Sequence, residues 1–481
     1  MHRLTTRRGG VAGGVAPGSP DLGILLPYTP LHVLLLGEAG DPGPDVLVMT
    51  SGNLSGEPIV TDDAEARERL GDLADAFLVH DRPIRVPCDD SVARVVAGAE
   101  LPVRRSRGHA PLPVALPFEV DPVLATGADL KNTCALAAGR YAWLSQHVGD
   151  LDDLATQDAL GRTERHLEEL TGVRPGRLVT DAHPGYRSAA WARERAQGRE
   201  VRTVQHHHAH VASVMGEHGL GLDDRVIGVA FDGTGYGTDG AIWGGEVLVA
   251  GYKELRRAAH LGYVPLAGGD ASVRRAYRMA LAHLRAAGVP WSEDLPAVAA
   301  CPDRERSVLA HQLDTGLGCV PTSSMGRLFD AVSSLTGVRH TSDYEAEAAV
   351  RLEALARAYD GPAAPYAFGL VEDPHGAVVA DPGPVVRAVV DDVRRGAGPA
   401  RVAARFHAGV AALVVELAGR SRLATGLDVV ALGGGVFANA LLLATSVRQL
   451  EEHGFTVLRP RLLPPNDGGI ALGQVLVGSV A

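Results

Sequence analysis

The sequence predicts an α/β protein of two or three domains, on three observations. At 481 residues the chain exceeds what one hydrophobic core ordinarily serves. Apolar strand-like runs alternate with amphipathic helix-like runs along most of it. A stretch with four prolines, HAPLPVALPFEVDP at 109–122, reads as a linker between a short first part and about 360 residues, a length suited to two lobes. The boundaries drawn on this basis are a first domain over 1–108, the linker over 109–122, one lobe over 123–225 and a second lobe over 226–481.

Taken in order, DVLVMTSGNLSGEPIV reads as an apolar strand entering a Ser/Gly/Asn loop, and DDAEARERLGDLADAFLVH as an amphipathic helix. Beyond the linker, VLATGADLKNTCALAAG is a strand, a turn carrying Asp129 and a second strand. VIGVAFDGTGYGTDGAIWGGEVLVAG repeats the plan, with Asp232 leaving its strand into a glycine-rich turn. Such turns let ligand oxygens reach backbone N–H groups, although an ordinary DG hairpin reads the same way. SVRRAYRMALAHLRAAG reads as a helix, and residues 359–400 as a Pro/Gly-rich excursion without nameable chemistry. DVVALGGGVFANALLLATSVRQLEEHG is a buried strand, a glycine turn and a helix, a place where α/β sheets bind ligands. PPNDGGIALGQVLVG sets Asn466 and Asp467 in a loop before a short helix.

Composition narrows the function classes. A net charge of −11 argues against a protein built to neutralise phosphate backbones, while RRSRGH at 104–109 is basic enough for one phosphorylated ligand. Four cysteines without CxxC spacing exclude a zinc ribbon and fit a reducing cytosol. No apolar run approaches a membrane span, and the N-terminus lacks the apolar core of a signal peptide. Only Lys131 and Lys253 are lysines among 46 basic residues, which makes each a candidate for a role a guanidinium does not fill, with genomic base composition and chance as the alternative.

The densest feature is QHHHAHVAS at 205–213. On a helix His206 and His210 share a face and can chelate one ion; His207 with His210 is a poorer pair, and His208 points elsewhere. Spacing alone leaves a His-rich surface helix equally open. With Asp232 and Asp467 as further oxygen donors, the set suits Fe(II) or Zn(II) with positions open to substrate. HExxH is absent, which argues against a metallopeptidase.

QHHHAHVAS, FDGTGYGTDGAIWGGE, SSMGRLFDAVSSLTG, GGGVFANALL and NDGGIALGQ occur in the order found in the HypF carbamoyltransferases of nickel–iron hydrogenase maturation, and the chain resembles that family. ILLPYTPLHVLLL, MTSGNLSGEPI, CDDSVARVV and VRRSRGHAPLP resemble the latter half of its YrdC-like domain. The resemblance implies a partial YrdC-like α/β domain followed by a two-lobed, TsaD-like module of the actin/Hsp70 type, a duplicated ribonuclease-H-like fold. It implies a metal on His206, His210, Asp232 and Asp467. Lys131, Asn132 and Thr133 would lie near the phosphates or acyl group, and Gly326, Asp330, Gly434, Gly435 and Asn439 around the nucleoside. Ser51, Asn53, Ser91, Arg105 and Arg107 would line the site for ATP (with magnesium) and carbamoyl phosphate.

The implied reaction forms carbamoyl-adenylate and passes the carbamoyl group to the C-terminal cysteine thiolate of a HypE-like partner, in the cytoplasm and without membrane or nucleic acid. No cysteine of this chain is then a nucleophile, and Cys88 and Cys134 read as small core residues. The family's acylphosphatase-like, zinc-finger and first half-YrdC segments have no counterpart here. The expectation is therefore a truncated frame, or a fragment completed elsewhere, whose first part exposes apolar surface. DYEAEAAVRLEAL departs from the family's YEGQ-type stretch, so Glu345 and Glu347 carry no implied role. The alternatives are an O-carbamoyltransferase acting on a small-molecule hydroxyl, and a nucleotide- and metal-binding remnant without turnover.

Overall fold

The computed structural model describes residues 12–38, 40–54 and 56–480. They divide into two compact units, residues 1–89 and 90–481.

In the first unit, Thr29 Oγ1 accepts the His32 N–H and starts the helix Pro30–Leu36. Asp62 accepts the N–H groups of Ala64 and Glu65 and starts the helix Asp63–Leu70, since a β-region cap with a side-chain oxygen satisfies otherwise orphaned donors. That helix ends eight residues or more before the sequence pattern does, and the apolar run at Val46–Met49 forms no strand. Strand propensity needs a partner for its backbone and a face to bury. Leu26, Leu34, Val46, Val48 and Leu78 are exposed, and none of the described residues up to 89 is buried.

The second unit opens with the hairpin Val92–Val96 and Ala99–Arg104. Sequence patterning assigns these residues to the first domain, yet they belong to the larger unit because Val96 and Leu101 enter its main core. Arg94 donates to Glu353 and to the Ala438 carbonyl, which fixes the hairpin there. The supposed linker is also mostly structure: Pro113–Ala125 is a 13-residue strand. Its prolines fall where the strand's register is irregular or where no N–H is required, which is where strands tolerate them.

That strand pairs antiparallel with Ala135–Leu144 and parallel with Arg177–Asp181, which pairs parallel with Glu200–Val204. The four form one sheet. A nine-stranded mixed sheet is centred on Val226–Tyr236, flanked by Ile242–Ala250 on one side and by Val429–Gly433 and then Thr456–Leu458 on the other. Residues 359–400 are no loose excursion. Gly369–Glu372 and Val378–Asp381 extend this sheet at its edge, and Gly383–Arg394 is a helix burying Val385, Val386, Val389 and Val390.

Between the sheets, the helix His206–Glu217 packs on the C-terminal helix Ile470–Val480. Gly473 allows this, since a Cβ there would fall 1.9 Å from the Ala209 carbonyl oxygen. The 27-residue helix Pro399–Thr425 is long and apolar enough to cross a membrane by composition. Its Val402, Phe406, Val410, Val414 and Leu417 are spent in the core, so here the length reflects a buried helix.

Candidate metal centre

All twelve residues of His206–Glu217 are buried, which excludes a His-rich surface helix. Gln205 begins it: its side chain accepts the His208 N–H at 2.8 Å. His208 turns away and meets the Gly251 carbonyl at 2.6 Å. His206 and His210 face the same way, as the four-residue spacing requires.

Asp232 comes from the central strand. The strand does not end at Asp232 but runs on to Tyr236. Pairing with the next strand jumps from Gly245–Phe231 to Trp243–Gly235, so Asp232, Gly233 and Thr234 together face the single residue Gly244. A bulge of this kind re-aims a side chain. Asp467 opens a short turn held by Asn466, which accepts the Gly468 N–H, before the C-terminal helix.

The four side chains converge. His206 Nε2 lies 3.1 Å from Asp232 Oδ2 and 3.5 Å from Asp467 Oδ1; His210 Nε2 lies 3.3 and 3.5 Å from the same atoms. One donor atom from each falls within 4.8 Å of the others, and all four residues are buried. His210 Nε2 makes no hydrogen bond among the described residues. A buried lone-pair donor without a partner, beside two carboxylate oxygens, is what a divalent cation requires.

Electrostatics agree. Burial alone would keep His206 neutral, but Asp467 and Asp181 outweigh it and hold its pKa well above the ordinary value. Burial would raise the Asp232 carboxyl, yet His206 and His210 hold it well below the usual range; Asp467 is likewise held down, at about 2. Positive charge is thus favoured at this point of the interior, from protons or from an ion.

Sequence reasoning missed Asp181. Its Oδ2 sits 2.8 Å from His206 Nδ1, both residues are fully buried, and its Oδ1 accepts the His183 N–H. Such a carboxylate fixes the ring and directs the Nε2 lone pair at the ion position. The available signal was the one used for Asp232: an acidic residue closing an apolar strand, here RLVTD.

The remaining expected residues divide. Lys131, in a left-handed conformation at φ 47, is ion-paired with Glu345. Burial lowers its pKa against the pull of Asp467, Asp150 and Asp232, which places its ammonium in the field of the cluster. Asn132 is consumed locally, donating to the Thr126 and Ala128 carbonyls at 2.8 and 2.5 Å. Thr133 donates to the Gly468 carbonyl and ties the first hairpin to the Asp467 turn.

Gly326 and Gly435 abut the Asp232–Gly233 step. A Cβ at Gly326 would meet Gly233 Cα at 2.9 Å, and the Gly435 N–H donates to Asp232 Oδ1 at 3.1 Å. Gly434, at φ 92, packs on Phe231. Asp330 pairs with Arg327 at 2.9 Å, and burial pushes its carboxyl up to about 6 despite that arginine. Asn439 accepts the Leu442 N–H as a helix cap and faces His407.

Ser51 and Asn53 fall in the first unit, where Asn53 donates to the carbonyls of Leu54 and Glu57. Ser91, Arg105 and Arg107 fall in the second. There Ser91 donates to the Arg107 carbonyl, Arg107 pairs with Asp90, and Arg105 is buried with its Nη2 on the carbonyls of His109 and Leu112.

Residues 228–474 match the family model described as the second subdomain of the carbamoyltransferase Kae1-like domain, and 119–217 match the HypF Kae1-like domain. Residues 3–106 match the Sua5/YciO/YrdC model, described as telomere recombination. The carbamoyltransferase HypF2 of Cupriavidus necator is 42% identical over 98% of this chain and 63% of its own length. A shorter HypF homologue of the same organism is 37% identical over 74% of this chain and 91% of its own.

The chain belongs to the HypF carbamoyltransferase family. Among solved structures, full-length HypF in its phosphate- and nucleotide-bound form superposes with a TM-score of 0.90 at 39% identity, covering 98% of this chain and 72% of that one. HypF of T. kodakarensis does so at 0.87 and 33%, covering 97% and 62%. The family's α/β architecture, a YrdC-type segment followed by the Kae1-like module, is therefore this chain's. The chain spans 63% and 60% of the HypF proteins of Cupriavidus and Synechocystis that it matches over nearly its whole length.

Proposed function

We propose that this chain carries out a HypF reaction in the cytoplasm, adenylation followed by acyl transfer. ATP and carbamoyl phosphate give carbamoyl-adenylate, and the carbamoyl group passes to the C-terminal cysteine thiol of a HypE-like protein. The observation that carries the reading is the buried convergence of His206, His210, Asp232 and Asp467. Those four residues would hold one divalent ion, Fe or Zn, which when bound supplies Lewis-acid polarisation of the acyl group.

The chain's own residues do the rest. Asp181 keeps the His206 proton on Nδ1. Lys131, exchanging Glu345 for ligand, offers a compact cation to a phosphate oxygen. Gly326 and Gly435 let their backbones close on the Asp232–Gly233 step, which fixes the carboxylate beside the ion position. In the transfer step the partner's thiolate sulfur attacks the carbonyl carbon, a C–S bond forms, the bond to the adenylate oxygen breaks and AMP leaves. Among the chain's own thiols, burial raises Cys134 to about 12, unsuited to that role.

The test is metal analysis of the purified protein beside His206→Ala and Asp467→Ala, combined with pyrophosphate release from ATP on adding carbamoyl phosphate. One ion per chain lost in both variants, with release in the parent, supports the reading; unchanged metal content in both variants overturns it. One observation favours a narrower second reading. None of the described residues up to 89 is buried, so that segment by itself presents no packed adenylating site. Nucleotide and metal binding without pyrophosphate release would select this narrower function.

A further inference from the structure

The histidine cluster contains one more ring than the ion position uses. His207 is fully buried, and its Nε2 has no hydrogen-bond partner among the described residues. Its protonation follows from backbone groups whose roles are fixed. The His208 N–H can only donate, and it donates to Gln205 Oε1. That sets the amide so that Gln205 Nε2 faces the other way, where it donates to the Tyr236 carbonyl at 3.0 Å, a group that can only accept. The same amide nitrogen lies 3.2 Å from His207 Nδ1 and brings its second hydrogen there. Nδ1 therefore accepts, and the proton of the neutral ring is on Nε2. The outcome is a buried N–H donor with nothing to donate to, a costly arrangement unless a ligand supplies the acceptor.

Its location is equally defined. A Cβ built on Gly235 would lie 3.0 Å from His207 Nε2 and 2.7 Å from His206 Cδ2, so both atoms border one point on the bulged strand. His206 Cδ2 is bonded to the Nε2 that faces Asp232 and Asp467. The orphan donor thus opens beside the metal position, and glycine at 235 keeps a side chain out of the space between the two rings.

We propose that His207 is a specificity-determining residue that donates Nε2–H to the carbonyl oxygen of the acyl group presented at the metal centre. The proposal rests on the carbamoyl-transfer reading above. A donor next to a cation accepts only an oxygen acceptor at that point, so it orients a carbamoyl group with its oxygen toward His207 and its amino group away. Gln205 is the positioning residue that selects the tautomer.

The experiment compares two probes on the zinc-loaded full chain: adenosine 5′-sulfamate, and the same molecule carrying an N-carbamoyl group. The parent binds the carbamoylated probe more tightly. His207→Phe keeps zinc content and the affinity for plain sulfamate, and loses about ten-fold on the carbamoylated probe, the scale of one unmade hydrogen bond. His207→Gln, which retains an N–H, recovers part of that preference. An undiminished preference in His207→Phe overturns the proposal while leaving the function standing; no preference in the parent overturns both. Imidazole ¹⁵N spectra give a measurement independent of folding in the variants: a proton on Nε2 of His207 is expected, and one on Nδ1 overturns the assignment.

Discussion

In the hairpin Pro113–Ala125/Ala135–Leu144, the carboxylate of Asp129 accepts the backbone N–H groups of Arg187 and Ser188 at 2.8 and 2.9 Å, capping the helix that begins at Arg187. In the hairpin Val226–Tyr236/Ile242–Ala250, the carboxylate of Asp232 meets His206 and His210. Both hairpins read alike, as a strand, an acidic residue, glycines and a second strand. The first carboxylate completes a helix terminus, where negative charge and orphan donors suit each other. The second sits on a bulge that turns it toward imidazoles. One local pattern thus serves architecture in one lobe and chemistry in the other, and the partner delivered from elsewhere in the chain makes the difference.

The strongest way to break this contrast is to exchange the two carboxylates' fates. Asp232→Ala is expected to cost more than ~100-fold in zinc affinity, beyond the range for loss of an outer hydrogen-bond partner, as read by competition with a chromogenic chelator. Asp129→Ala should leave zinc affinity unchanged. Next in size, Asp181→Ala is expected to weaken zinc by ~10–100-fold by freeing the His206 ring, while the ion still binds at high concentration. Full affinity in that variant would remove Asp181 from the site.

Acid gives a third test. His206 and His210 are both held above the ordinary imidazole pKa by their carboxylates, so an ion must displace protons from them. Zinc affinity is expected to fall as pH drops from about 8 to about 6, in the parent and in Asp129→Ala alike. Asp129→Ala itself is expected to lower stability by ~1–2 kcal/mol, the usual cost of a lost helix cap, measured as a shift in the urea midpoint. The smallest effect is on the thiols. Cys134 and Cys301, raised by burial to about 12 and about 11, should resist a thiol reagent at pH 8 in the native chain, whereas half-buried Cys88 and Cys319 react.

Much of the metal centre was legible. HxxxH on a helix puts two imidazoles on one face by geometry alone, and strand-terminal or glycine-flanked aspartates stand out. Asp181 was not legible, because a carboxylate closing RLVTD differs from Asp129 or Asp232 only in what lies opposite it. Asn132 and Thr133 were expected near the ligand. The structure spends the Asn132 amide on local carbonyls and the Thr133 hydroxyl on the Asp467 turn, contacts that no spacing reports. The hairpin Val92–Arg104 was read with the first domain because CDDSVARVV and VRRSRGHAPLP resemble the YrdC-like domain, whose family model matches residues 3–106; that Val96 and Leu101 are buried in the main core of the second unit is a contact no motif reports.

By itself the sequence determined the alternation of strands and helices, the family resemblance and the HxxxH face, since periodicity, turn chemistry and ordered motifs are local properties of a chain. Tertiary structure alone decided which carboxylate serves which partner, that the His-rich helix is interior, and that one imidazole proton is left without an acceptor. Those are facts about groups far apart in sequence, and they exist only once burial has removed water as the alternative partner.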